Sequence, residues 1–265
     1  IDAGRIPVVL LDIDSTITEQ VGSELLAGAV KAMRSIAIGL FGLNTGENIT
    51  RVDLRILSIT EEFFHIPFMI LAMGNEMYVW SEVARAYVQL PFTAHGKGDA
   101  VRQLAEYLGI PIEDFVFIGD FPGGEEWRRV DDSVLRQPLG VIIAQGSQRD
   151  PAEIQTQHAE TLLIKPRALN FPWIGPVATI RYLLSIASVL ENNLPAVKEA
   201  RRNILEALQQ KISTLSVPRI FTPHNFTVVP QLAESVVSAI LLKLDTSISF
   251  YRVSEAGYKV ALYKL

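Results

Sequence analysis

Four apolar residues, Val8-Val9-Leu10-Leu11, run directly into Asp12-Ile13-Asp14. An unbroken apolar run of this length predicts a strand buried on both faces, as in a parallel sheet covered by helices. Open sheets of that kind place their ligands beyond the C-terminal ends of the strands. On an extended backbone Asp12 and Asp14 point the same way. Two neighbouring carboxylates repel each other and favour a cation between or beside them. Mg²⁺, a hard cation that prefers oxygen ligands, meets that need.

The rest of the chain supplies partners for such a strand. Residues 22–40 have helical spacing, with Leu25, Ala29, Met33 and Ile36 among the repeating apolar positions. Gly42 to Gly46 reads as a turn cluster, and 54–59 as a second strand. A third apolar run over 67–73 leads into a hairpin-like turn at Gly74-Asn75. Residues 99–108 are the clearest helix, opened by Asp99 and stopped by Gly109. Residues 115–118 form a buried strand that ends at Gly119-Asp120, and 140–144 another. Strand, helix and strand in repetition predict an α/β fold with a doubly wound, mostly parallel sheet.

From Val177 the texture changes. Helices are expected over 177–190, 195–215 and 231–243, short strands over 219–221 and 226–229, and a terminal hairpin over 247–253 and 258–263. We therefore divide the chain near 176. A core spans 1–176, with a helical insert at about 17–52. A C-terminal α+β segment, 177–265, serves as cap, interface or accessory domain.

Composition narrows the function classes. Apolar residues make up 49% of the chain, enough for a full globular core. The net charge of −5 argues against a nucleic-acid binder, which normally carries a basic surplus. The absence of cysteine excludes disulfides, thiolate metal sites and cysteine nucleophiles, and fits a reducing, cytoplasmic setting. The most apolar stretch, Leu25 to Leu43, is interrupted by Lys31 and Arg34, so no membrane association is expected. His65, His95, His158 and His224 include no i,i+4 pair that would suggest a metal site.

Asp12-Ile13-Asp14-Ser15-Thr16 resembles the first motif of the haloacid dehalogenase superfamily, D-x-D-x-T after an apolar strand. The resemblance implies a Rossmann-type core and Mg²⁺-dependent hydrolysis of phosphate monoesters. In it Asp12 attacks phosphorus to form an aspartyl-phosphate, and Asp14 is the acid and base. Gly96-Lys97-Gly98-Asp99 is similar to the third motif, whose lysine steadies nucleophile and phosphate. Phe115 to Asp120 is similar to the fourth, which makes Asp120 a metal ligand. The second acid of that motif falls on Gly124 or on Glu125, so Glu125 is the candidate, with Glu126 behind it. Both also read as ordinary first-turn acids of a helix. For the second motif, a hydroxyl after a strand, the candidates are Thr60, preferred for its place at the expected strand exit, and Ser58.

The resemblance covers roughly residues 6–175 and departs from the pattern at named points. Gly124 replaces an acid, and Glu61-Glu62 stand where Gly-Arg is common. Gly22-Ser23-Glu24 looks like phosphoserine phosphatases, but Val21 stands where those enzymes hold the substrate amine. Residues 96–126 look as much like sugar-phosphate phosphatases. The expected partner is a small phosphate ester, with the oligomeric state left open. Two other outcomes fit the same motifs: a catalytically weak binding or regulatory module, and a phosphomutase that returns the phosphoryl group to a sugar.

Overall fold

The computed structural model describes residues 6–14, 16–18, 25, 27–60, 64–120, 140–143, 162–166, 174–216, 219–223 and 248–251. The described strands form one ten-stranded sheet. In chain order they are β1 (Val8–Leu11), β2 (Leu40–Asn44), β3 (Phe68–Leu71), β4 (Glu76–Ser81), β5 (Ala86–Gln89), β6 (Phe115–Asp120), β7 (Gly140–Ile143), β8 (Leu162–Pro166), β9 (Arg219–Phe221) and β10 (Ile248–Tyr251). Across the sheet they lie in the order β10-β8-β7-β6-β1-β2-β3-β4-β5-β9. The six from β8 to β3 are parallel. β10 joins one side antiparallel, and β4, β5 and β9 continue the other side antiparallel.

This order is doubly wound. The chain begins in the middle, moves outward through β2 and β3, and later returns to the other flank of β1 with β6. β1 and β6 therefore meet where the winding reverses, the place at which open α/β sheets form a crevice. β1 is wholly buried, as its apolar sequence requires.

The described α-helices are α1 (Ala27–Ile36), α2 (Ile49–Val52), α3 (Ser58–Thr60), α4 (Lys97–Leu108), α5 (Ile174–Glu191) and α6 (Leu194–Ser213). α1 packs on α5, which also touches β7, β8 and α6; α4 packs on β3 and α6. α4 ends as expected at Gly109, which adopts the left-handed conformation at φ 71°. Among the described residues no helix is long and apolar enough to cross a membrane. α5 runs across residue 176, and β9 and β10 join the same sheet as the first eight strands.

Two stretches differ from expectation. The strand expected over 54–59 is helical: α2 passes through a π-helical turn, Asp53–Leu57, into α3. The Asn48 side chain caps its start by accepting from the Arg51 N–H at 3.1 Å. Val52, Ile56 and Ile59 are buried at helical spacing while Leu54 is 56% exposed. The period is that of a helix, and four apolar residues in six had mimicked a strand. The second stretch is 22–46. Among its described residues the helix is Ala27–Ile36, and the supposed turn residues Gly42 to Asn44 belong to β2. The stretch 17–52 thus includes a core strand as well as helices. Gly42 is there for space, because a Cβ would collide with the ring and carbonyl oxygen of Phe68 on β3. The candidate elements at 226–229, 231–243 and 258–263 lie outside the described residues.

Candidate active site

Asp12 is the first residue past β1. Its N–H still donates to the Ile118 carbonyl of β6 at 2.9 Å, so the ladder holds the carboxylate at the strand tip. The side chain has two anchors: Oδ1 accepts from the Ile13 N–H at 2.9 Å, and Oδ2 accepts from Lys97 Nζ at 3.1 Å. Lys97 opens α4 and is only 5% exposed. Its ammonium lies 5.7 Å from the centre of the Phe117 ring on β6. A buried cation of this kind needs its carboxylate, because removing one partner strands the other charge away from water.

Beyond Asp12 the chain turns sharply around one acceptor. The N–H groups of Thr16, Ile17 and Thr18 all point at the Ile13 carbonyl, at 3.2, 3.0 and 3.1 Å, and Thr18 Oγ1 donates to it as well at 3.0 Å. Asp14 sits at the opening of this turn. Its Oδ1 accepts from Arg55 Nη2 at 2.8 Å. Arg55 comes from the π-helical turn and also pairs, through Nη1, with the buried Glu47. Burial works to lower the Arg55 pKa, but the hydrogen bonds and charges of Glu47 and Asp14 outweigh it and hold the guanidinium raised and charged.

The neighbouring tip, that of β2, carries Asn44 and Thr45. Thr45 is buried; its N–H donates to the Ile70 carbonyl at 2.9 Å, and its Oγ1 accepts from the Glu47 N–H at 3.3 Å. The amide of Asn44 is fully buried, and neither of its polar atoms has a partner among the described residues. Unmet buried polar groups are costly and uncommon in folded proteins. Thr16 Oγ1, two residues past Asp14, is a second such group.

Asp12, Asp14 and Lys97 are thus brought together, and Asp120 closes β6, the strand beside β1. Leu11 is paired with Ile118 there, and a Cβ placed on Gly119 would come within 3.6 Å of the Asp12 Cβ. Thr60 is not at a strand exit. It ends α3, buried, and its hydroxyl has no partner among the described residues. Ser58 donates its hydroxyl to the Leu54 carbonyl at 3.0 Å. The hydroxyl just past a strand next to β1 belongs to Thr45. Reading Gly42 to Gly46 as a turn concealed it, although Leu40 to Leu43 is an apolar run ending in Asn-Thr-Gly. Nothing local in the sequence marks Arg55, which reaches Asp14 across 41 positions of chain. Glu125, Glu126, Val21 and the Glu61-Glu62 pair lie outside the described residues.

No family model matches the chain, and no curated protein matches it. Solved structures show distant similarity. A hypothetical protein from Xanthomonas campestris is 14% identical at a TM-score of 0.43, over 72% of this chain and 88% of that one. The cobalt-bound deoxy-D-mannose-octulosonate 8-phosphate phosphatase from Haemophilus influenzae is 12% identical at 0.42, over 70% and 91%. The haloacid dehalogenase superfamily sugar phosphatase BT4131 is 11% identical at 0.42, over 68% and 99%.

The side chains bear on a metal directly. Among the described residues no group of three His, Cys, Asp or Glu is assembled to hold an ion. The carboxylates of Asp12 and Asp14 are oxygen donors, which fit a hard divalent cation and not a soft one.

Proposed function

We propose that the chain is a phosphoric monoester hydrolase working through a phosphorylated Asp12. The observation that carries this reading is the pairing of Asp12 with the buried Lys97 at the tip of β1, with Asp14 held two residues away. A carboxylate nucleophile splits one difficult displacement into two easier ones. In the first, an Asp12 oxygen bonds to phosphorus and the ester P–O bond breaks. The electron pair of that bond stays on the leaving oxygen, which takes a proton from the Asp14 carboxyl. In the second, Asp14 takes a proton from water as its oxygen attacks phosphorus, and the bond to Asp12 breaks. The Lys97 ammonium offsets negative charge on the phosphoryl oxygens. Thr45, at the tip next to β1, replaces Thr60 as the hydroxyl that steadies them.

Asp12, the Asp14 main-chain carbonyl and Asp120 would hold Mg²⁺, with Glu125 as the further acid. When bound, the ion screens anions that otherwise repel the incoming phosphate. The substrate class is a small phosphorylated metabolite such as a sugar phosphate, and neither nucleic acid nor membrane is a partner in this reading.

Replacement of Asp12 by Asn tests it. With p-nitrophenyl phosphate and Mg²⁺, phosphate release is expected to fall by about 10³-fold or more. Turnover equal to that of the parent protein rejects the role of Asp12.

A further inference from the structure

We infer that Arg55 is a positioning residue for the proton-carrying carboxylate of Asp14, and that Glu47 fixes Arg55 in turn. The inference rests on the hydrolase reading above and adds residues outside the recognised motifs. The two terminal nitrogens of the guanidinium serve two different carboxylates, Nη2 that of Asp14 and Nη1 that of Glu47. A planar fork held at both prongs has a fixed plane, so it fixes the direction from which Asp14 is held. The Arg55 side chain is 11% exposed and that of Asp14 25% exposed, so the arginine is the more deeply buried of the pair.

The backbone contributes to this aim. Arg55 lies in the π-helical turn between α2 and α3, and its neighbour Leu54 is turned outward. One added residue in a helix rotates every later side chain by about 100°, and single π turns are frequent at functional sites. Glu47 precedes the cap of the same helix, so the helix and its entry loop hold the arginine from both ends.

With Oδ1 held by Arg55, the Asp14 carboxyl keeps one orientation as its proton passes to the leaving oxygen. A general acid works only within hydrogen-bond reach of that oxygen, and small displacements cost much of the rate. Loss of Arg55 should therefore hurt esters that need a proton to depart and spare those that do not.

The test compares kcat/KM on phenyl phosphate, whose leaving group needs protonation, with that on 2,4-dinitrophenyl phosphate, whose leaving group does not. For Arg55→Ala a loss of about 100-fold is expected on the first and less than about 5-fold on the second. Guanidinium added at millimolar concentration should restore part of the phenyl phosphate rate in the variant and leave the parent unchanged. Glu47→Gln should show a smaller split in the same direction, and it decides the question if Arg55→Ala does not fold. Equal losses on both esters overturn the positioning role alone. Failure of the parent protein to hydrolyse either ester overturns the hydrolase reading and this inference together.

Discussion

On the parallel side of β3, strands β1, β2 and β6 run out into Asp12, Asn44-Thr45 and Asp120. On the antiparallel side, β4 runs into a turn at residues 82–85, with Val83 92% exposed, and comes straight back as β5. Both sides are buried along most of their length. They differ in where the chain goes after the last ladder bond. Parallel neighbours end at the same edge, so polar residues just past their tips stand side by side. An antiparallel pair spends each end on a reversal. The antiparallel side instead holds an aromatic stack: His65 lies face to face on Trp80 at 3.7 Å, and Trp80 meets Tyr87 edge-on at 5.1 Å. Its polar bonds fasten layers together. Gln209 of α6 donates to the Trp80 carbonyl at 2.9 Å and accepts from the Glu82 N–H at 3.1 Å. Charged and polar side chains gather where strands end together, and cohesion where they turn back.

The sharpest way to break this contrast is to remove charge at the tips. Lys97→Met should lower kcat on p-nitrophenyl phosphate by about 10²–10³-fold, and an effect under about 3-fold would put the site elsewhere. Next in size is a packing change between parallel strands. Gly42→Ala puts a methyl group against Phe68 and should cost about 2–3 kcal/mol in urea unfolding. A smaller loss is expected from Gln209→Ala, about 1 kcal/mol, with turnover unchanged within about 2-fold. An equal fall in turnover would deny that the two sides are functionally separate.

The smallest effect is a pH dependence confined to the aromatic side. Burial lowers the pKa of His65, partly opposed by Glu82 and helped by Arg85. The folded value thus lies below the unfolded one, about 6.5. The stabilising contribution is fully present above that value and is lost as pH falls from it toward the folded pKa. Comparison of Tm at about pH 7.5 and pH 5.5 should show a larger fall for the parent than for His65→Phe.

The same contrast explains what the sequence made legible. β1, β6 and α4 are readable because continuous apolar runs and a Gly109 stop are local signals, and with them came Asp12, Asp14 and Lys97. β2 was hidden because Gly42 and Asn44 carry turn chemistry, although Gly42 answers to Phe68 on another strand. The helix at 49–60 was hidden because a short apolar run has no period of its own until its exposed Leu54 and buried Ile56 are seen. Thr45 was lost with β2, and Arg55 with the helix. Pairing at a distance of 41 residues leaves no trace in spacing.

β9 and β10, which lie at opposite borders of the sheet, are the last two of the described strands. Interior strands therefore exist before either border can be finished, and β5 and β8 present open backbone amides and carbonyls in the meantime. Such half-made borders are templates for pairing with other chains. Once β9 and β10 are in place, the borders are strands of three and four residues instead of the four and five of β5 and β8, a shorter template for another chain.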